Sequence, residues 1–176
     1  MRKLKMRNKK FVEVFERYQK LVMKLVYDKS SDMELAKEIC QHTFFNYYLH
    51  MDKVKDELIK PWLIMTAKNA IVDNYRKITS RKECPLIHVE NIALDYSVER
   101  CPERLVGKEL SFRILEDLHK ANVTWYEVIV AICIEELSHE EATKQLGCTD
   151  QVLRARLYRA RKYIRKKYGK EYRDLF

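Results

Sequence analysis

LSHEEATKQLGCTDQVLRARLYRARKYIRKKY, residues Leu137 to Tyr168, carries two helix starts with a single turn between them. Ser138 and Glu141 have the spacing of a capping box, in which hydroxyl and carboxylate each satisfy a backbone N–H that the first helical turn leaves over. The helix so begun runs to Gln145. Leu146-Gly147-Cys148 then makes a tight turn, with Gly147 supplying the left-handed residue that ends a helix. Thr149 caps the next helix. Within it Leu153, Leu157, Ala160 and Ile164 recur at four, three and four residues, which makes one apolar stripe. The stripe turns Asp150, Gln151, Arg154, Arg156, Tyr158, Arg159, Arg161 and Lys162 outward. Two helices joined by a three-residue turn, the second rich in arginine, describe a helix-turn-helix. In that arrangement the start of the second helix meets base edges and the later arginines meet phosphates. At least one of Arg156, Arg159 and Arg161 is expected to form a structural salt bridge instead.

The charge agrees with a polyanion partner. The 176-residue chain has a net charge of +9, and residues 154–173 alone hold ten Lys/Arg against the single acid Glu171. Residues 1–10 hold six more bases and no acid, so the remainder is mildly acidic. Hydrophobic residues make up 47% of the chain, enough for a real core. Glycine and proline number three each, too few for sandwiches, propellers or βαβ arrays. The three glycines lie too far apart to build a phosphate loop or a dinucleotide fingerprint. The longest clean apolar run, Val128 to Ile134, is far short of the ~20 residues of a membrane span. No apolar segment follows the basic N-terminus, so a cytosolic protein is expected. The five cysteines are scattered and never paired as C-x-x-C, which fits packing thiols in a reducing compartment. No serine or cysteine stands in a hydrolase motif.

The rest of the chain also reads as helix. Residues 11–28 place Phe11, Val14, Phe15, Tyr18, Val22, Leu25 and Val26 at helical spacing. A break at Asp28 to Ser31 precedes a second helix, with Ser31 as expected cap and Glu34 reaching back. Residues 50–59 are polar and read as a loop or short helix. Pro61 suits a first helical turn, from which Leu63, Ala67, Ala70, Ile71 and Tyr75 share a face. Residues 79–107, with Pro85, Pro102 and no steady apolar period, read as a linker. Two further helices are expected over 108–122 and 124–136, with Ile132 and Cys133 on the inner face of the second. The fold expected is all-α: two small helical domains, 1–78 and 108–176, joined by the linker 79–107, the second domain a helix-turn-helix.

Three segments resemble bacterial sigma factors. Gly147-Cys148-Thr149-Asp150-Gln151-Val152-Leu153-Arg154-Ala155-Arg156-Leu157-Tyr158-Arg159-Ala160-Arg161 is similar to the "G-I-S-x-G-T-V-K-S-R-L-x-R-A-R" signature of their region four. Ala36-Lys37-Glu38-Ile39-Cys40-Gln41-His42-Thr43-Phe44 resembles the "A-E-D-L-x-Q-E-x-F" helix of region two. Pro61-Trp62-Leu63, Ala67-Lys68-Asn69, Asp73 and Arg76-Lys77 resemble the segment that follows it. With regions two and four and nothing else, the chain looks like the extracytoplasmic-function (ECF) class. It departs from the pattern at His42, where Glu is usual, at Ala142-Thr143, at Gln151 and at Leu153. It also lacks the Leu-Pro that commonly opens region four. It resembles a divergent member.

The resemblance implies a non-enzymatic factor, without cofactor or metal, that lends promoter recognition and strand opening to core RNA polymerase. Its partners would be the largest and second-largest polymerase subunits, promoter DNA and an anti-sigma factor able to hold it at the membrane. Glu38, Gln41 and His42 would face the polymerase. Asn69, Asp73, Arg76 and Lys77 would serve the minus-ten element, with the loop 50–59 adding specificity; Asp73 has the alternative of orienting an arginine. Trp62 is expected in the core. Thr149, Gln151, Arg154, Arg156, Tyr158, Arg159 and Arg161 would serve the minus-thirty-five element, with Gln151 and Arg154 at bases. The alternative is a free-standing helix-turn-helix regulator with a sigma-like fold, which has no need of the two N-terminal motifs. A zinc site at Cys84, His88 and Cys101 is disfavoured, since such sites usually take four ligands in tighter pairs.

Overall fold

Apolar side chains recur every three or four residues over most of the chain, and few glycines or prolines interrupt them, so helices form over nearly all of the described residues. The computed structural model describes residues 2–80 and 101–173, and among these it has seven α-helices and no strand. They are α1 (Arg2–Ser30), α2 (Met33–His50), α3 (Ile59–Ser80), α4 (Cys101–Ala121), α5 (Val123–Ile129), α6 (His139–Leu146) and α7 (Asp150–Arg173). The chain divides into two units, Met1–Cys84 and Pro85–Phe176.

In the first unit α1, α2 and α3 pack together around Val14, Val22, Val26, Ile39, Phe44, Tyr47, Leu63 and Ile71. Phe11, Phe15, Phe44 and Tyr47 form an aromatic cluster, with Phe15 and Phe44 edge to face at 4.9 Å. Trp62 is half-buried against Tyr47, ring centroids 5.9 Å apart. Helix α1 begins at Arg2, nine residues before the expected start. It ends where Ser31 takes a left-handed φ of 53°. The cap of α2 is therefore Asp32, not Ser31: its carboxylate accepts from the N–H groups of Glu34 and Leu35. Asp32 retains the extended backbone that a cap requires. Between α2 and α3 lies a short turn and the 3-10 segment Asp56–Leu58. Pro61 sits in the first turn of α3.

In the second unit α5 packs on α4 and α7, and α6 on α7. Helix α4 starts at Cys101, so residues 101–107 of the expected linker are helical, as are 79–80 at the end of α3. Helix α5 passes into a π turn at Val130–Ile134, with Glu135 N–H on Val130 O at 2.9 Å. The wider turn shifts the helical phase. Val130 and Ala131 are buried, while Ile132 is half-buried and Cys133, expected inside, is exposed. Ser138 and Glu141 form a full capping box on α6. Gly147 ends α6 in the left-handed region, φ 59° and ψ 38°. Thr149 Oγ1 accepts only a long bond, 3.4 Å, from Val152 N–H at the start of α7. Leu153, Leu157 and Ala160 are buried, Ile164 half-buried, and Tyr168 extends the stripe into the core. No helix among the described residues is long and apolar enough to cross a membrane.

Candidate nucleic-acid interface

The buried stripe of α7 orients its other face. Thr149, Gln151, Arg154, Tyr158, Arg159 and Arg161 are exposed, Tyr158 to 67%, and Arg156 is half-buried. Arg156, Arg159 and Arg161 make no ion pair among the described residues, so the structural salt bridge expected of one of them is absent there. It falls on Arg154, whose Nε donates to Asp150 Oδ2 at 2.7 Å. Asp150 Oδ1 also lies 3.1 Å from His139 Nδ1 on α6. Desolvation pushes the Asp150 carboxyl up, but hydrogen bonds from Arg154 and His139 outweigh it and hold the group below its ordinary range. The result is a row of cations with terminal guanidinium nitrogens free for phosphate or base edges.

In the first unit, α2 and α3 border a groove of about 490 Å³. Glu38, Gln41, His42 and Phe45 of α2 and Asp73, Asn74 and Lys77 of α3 line it. Residues expected on two separate surfaces, Glu38, Gln41 and His42 on one hand and Asp73 and Lys77 on the other, thus share one groove. Asn69 and Arg76 do not line it. Asn69 is half-buried, and its Nδ2 donates to Met65 O at 2.7 Å. Arg76 Nη1 reaches Asp73 Oδ1 only at 4.0 Å. Cys84 and His88 lie outside the described residues, as does the side chain of Cys101. Among the described residues no cluster of metal-ligating side chains occurs.

The α2 face also presents Phe45, 59% exposed, and Leu49, 53% exposed. Phe45 is four residues from Gln41 and Leu49 four beyond it, so they continue the line of Glu38, Gln41 and His42 along α2. Two exposed apolar side chains one turn apart, beside polar ones, make this face a candidate contact surface. The chain neighbour of Phe45, Phe44, is buried in the core, 2% exposed.

Residues 14–81 match the family model of sigma-70 region 2. They form a sigma-70 region 2. The chain is 24% identical, over 163 residues, to the ECF RNA polymerase sigma factor SigM of Bacillus subtilis (strain 168). That alignment covers 92% of this chain and 97% of the relative. Together the two findings support an ECF-type RNA polymerase sigma factor. Sigma factors in general are not enzymes, and the family implies binding of the polymerase core and of promoter DNA. Within region 2 fall α2, α3, the groove between them and the short loop that joins them.

Proposed function

We propose that this protein is an alternative sigma factor that docks on core RNA polymerase, recognises a promoter at two elements and helps to open it. The observation that carries the reading is the pairing of a region 2 unit with α7, a helix whose inner stripe leaves Arg154, Arg159 and Arg161 outward.

In this reading the polymerase contact is the α2 face of Glu38, Gln41 and His42, widened by Phe45 and Leu49. Aromatic anchors ringed by polar groups are the usual centres of binding energy. The minus-ten element meets α3 and the loop before it. Opening a duplex requires an unpaired base to be held outside the stack against a positive surface. Lys77 and Arg76 supply charge there. Asn69 can accept through its free oxygen while its amide stays on the Met65 carbonyl. Helices α6 and α7 act as the helix-turn-helix at the minus-thirty-five element, with Gln151 and Arg154 toward bases and Arg156, Arg159 and Arg161 toward phosphates. Thr149 and Tyr158 flank the same face. The protein works in the cytoplasm, and an anti-sigma factor that covers the α2 and α7 faces would silence it.

The test is retention on purified core RNA polymerase, followed by DNA binding across a salt series. Saturable one-to-one retention is expected, with log affinity falling linearly against log salt. Arg159→Ala is expected to lower the magnitude of that slope by about 1 on any sequence, as a phosphate contact does. No retention on core polymerase, with DNA binding intact, would establish a free-standing regulator instead.

A further inference from the structure

The basic N-terminal segment is absorbed by none of the roles above. It is also poorly suited to its own helix. Residues 1–10 carry six Lys/Arg and no acid, and α1 begins at Arg2, so cations crowd the positive end of the helix dipole. Counter-charge comes from elsewhere in the first unit. Arg7 Nη1 pairs with Asp52 Oδ2 at 3.1 Å, and Arg7 Nη2 donates to Tyr48 O at 2.5 Å. The guanidinium carbon stands 4.8 Å from the centroid of the Tyr48 ring. Tyr48 Oη donates in turn to Asn8 Oδ1 at 3.1 Å. One turn further along α1, Lys10 Nζ pairs with Asp56 Oδ1 at 2.5 Å.

These contacts converge on the last turn of α2, at Tyr48, and on the chain that joins α2 to α3, at Asp52 and Asp56. The loop is pinned at its ends by the core, through buried Met51 and buried Leu58. Between the pins Asp52, Lys53, Lys55 and Asp56 are exposed. Core packing fixes where this loop leaves and rejoins the helices; Arg7 and Lys10 grip its middle from a segment more than 40 residues away in sequence. Arg7 holds a carboxylate and a carbonyl with its two terminal nitrogens, so it fixes direction as well as distance. Its Nε is buried without a partner among the described residues, a local cost accepted in keeping that geometry.

We infer that Arg7 and Lys10 are positioning residues for promoter selectivity: they set the loop 51–58 at the entrance of α3, through Asp52, Tyr48 and Asp56. The inference rests on the reading of α3 and this loop as the minus-ten reader. They need not touch DNA to act. A reader whose supporting contacts are lost still binds phosphate but discriminates less among bases.

The experiment uses the full chain assembled with core RNA polymerase and a pool of single-stranded oligonucleotides randomised over the minus-ten segment. Bound oligonucleotides are sequenced, and total retention and thermal unfolding are measured alongside. Arg7→Ala is expected to lower the preference for the best sequence over the pool about fivefold, as loss of a base contact would, while total retention changes by less than about twofold. Arg7→Lys recovers only part, because an ammonium cannot fork. Lys10→Glu and Asp56→Lys each broaden the preference, and the double swap restores it. Should Arg7→Ala fail to fold, the Lys10 and Asp56 swap, made on the surface, decides alone. Selected sequences from Arg7→Ala and Lys10→Glu that superimpose on the wild type overturn the inference, as do equal losses for selected and random DNA. A wild-type assembly that selects no sequence overturns the minus-ten reading itself, and this inference with it.

Discussion

Asp150 holds Arg154: its Oδ2 accepts a hydrogen bond from Arg154 Nε at 2.7 Å, one turn along α7. That bond uses the inner nitrogen and leaves the two terminal ones as a fork, the shape that meets guanine O6 and N7. Asp150→Ala therefore has two opposite effects. Affinity for random duplex is expected to rise, because a negative charge leaves the surface proposed to face DNA. Preference for a guanine-bearing minus-thirty-five element falls about tenfold, because Arg154 is no longer aimed. Fluorescence anisotropy on cognate and random duplexes at one salt concentration checks both. Equal changes on the two would leave Arg154 a phosphate contact.

A second carboxylate, Asp117 on α4, ties down the far end of α7. It accepts from Lys167 Nζ at 2.5 Å and from Tyr168 Oη. Hydrogen bonds from Lys167 and then Tyr168 hold Asp117 below its ordinary value of 3.8. Burial, and next the bond to Asp117, push Tyr168 from 10.0 to about 12. The signs give two windows. A depressed carboxylate stabilises the fold above its ordinary value, and that contribution is lost as pH falls below 3.8. A raised phenol stabilises the fold below 10.0, and that contribution is lost as pH climbs toward about 12. Alkaline loss of the second unit's helix content, followed by circular dichroism, is expected to be shallower in Tyr168→Phe, which has no phenol to ionise. At neutral pH Asp117→Asn is expected to cost about 1 kcal/mol, from weakened hydrogen bonds.

Gly147 separates backbone strain from crowding. A methyl group added there meets nothing within 4 Å, so only its φ of +59° opposes a side chain. Gly147→Ala is expected to destabilise the second unit by about 1 kcal/mol, and Gly147→Asn by less, because asparagine tolerates the left-handed region. Denaturant melts of the two variants give the comparison. A loss of several kcal/mol for alanine would mean that crowding, and not the positive φ alone, opposes a side chain there.

Phe45 tests the proposed polymerase face. Since its side chain is 59% exposed, Phe45→Ala is expected to leave thermal unfolding nearly unchanged. Retention on core polymerase is expected to weaken by about 1–2 kcal/mol, the cost of an aromatic anchor. Its buried neighbour Phe44, 2% exposed, gives the converse: Phe44→Ala costs about 3–5 kcal/mol of fold stability.

Much of the second unit was legible one residue at a time. The Ser138 and Glu141 box, the left-handed Gly147 and the stripe of α7 are interactions within four residues, and local spacing is enough to find them. Local spacing is not enough where two neighbouring residues offer the same interaction. Ser31 and Asp32 are both good caps, and the choice turned on which of them adopted the left-handed backbone. The π turn at Val130–Ile134 defeated the period count, because a helix that widens by one residue moves every later side chain round the axis.

By itself, then, the sequence determined the helical class, the chain's polarity of charge and the outward face of α7, since periodicity and capping depend on neighbours along the chain. Tertiary structure alone decided which residues meet across it. Glu38, Gln41 and His42 share a groove with Asp73 and Lys77 because α2 packs on α3, and Arg7 reaches Asp52 because α1 packs on α2. Those pairs are separated by more than thirty residues, a distance over which no spacing rule operates.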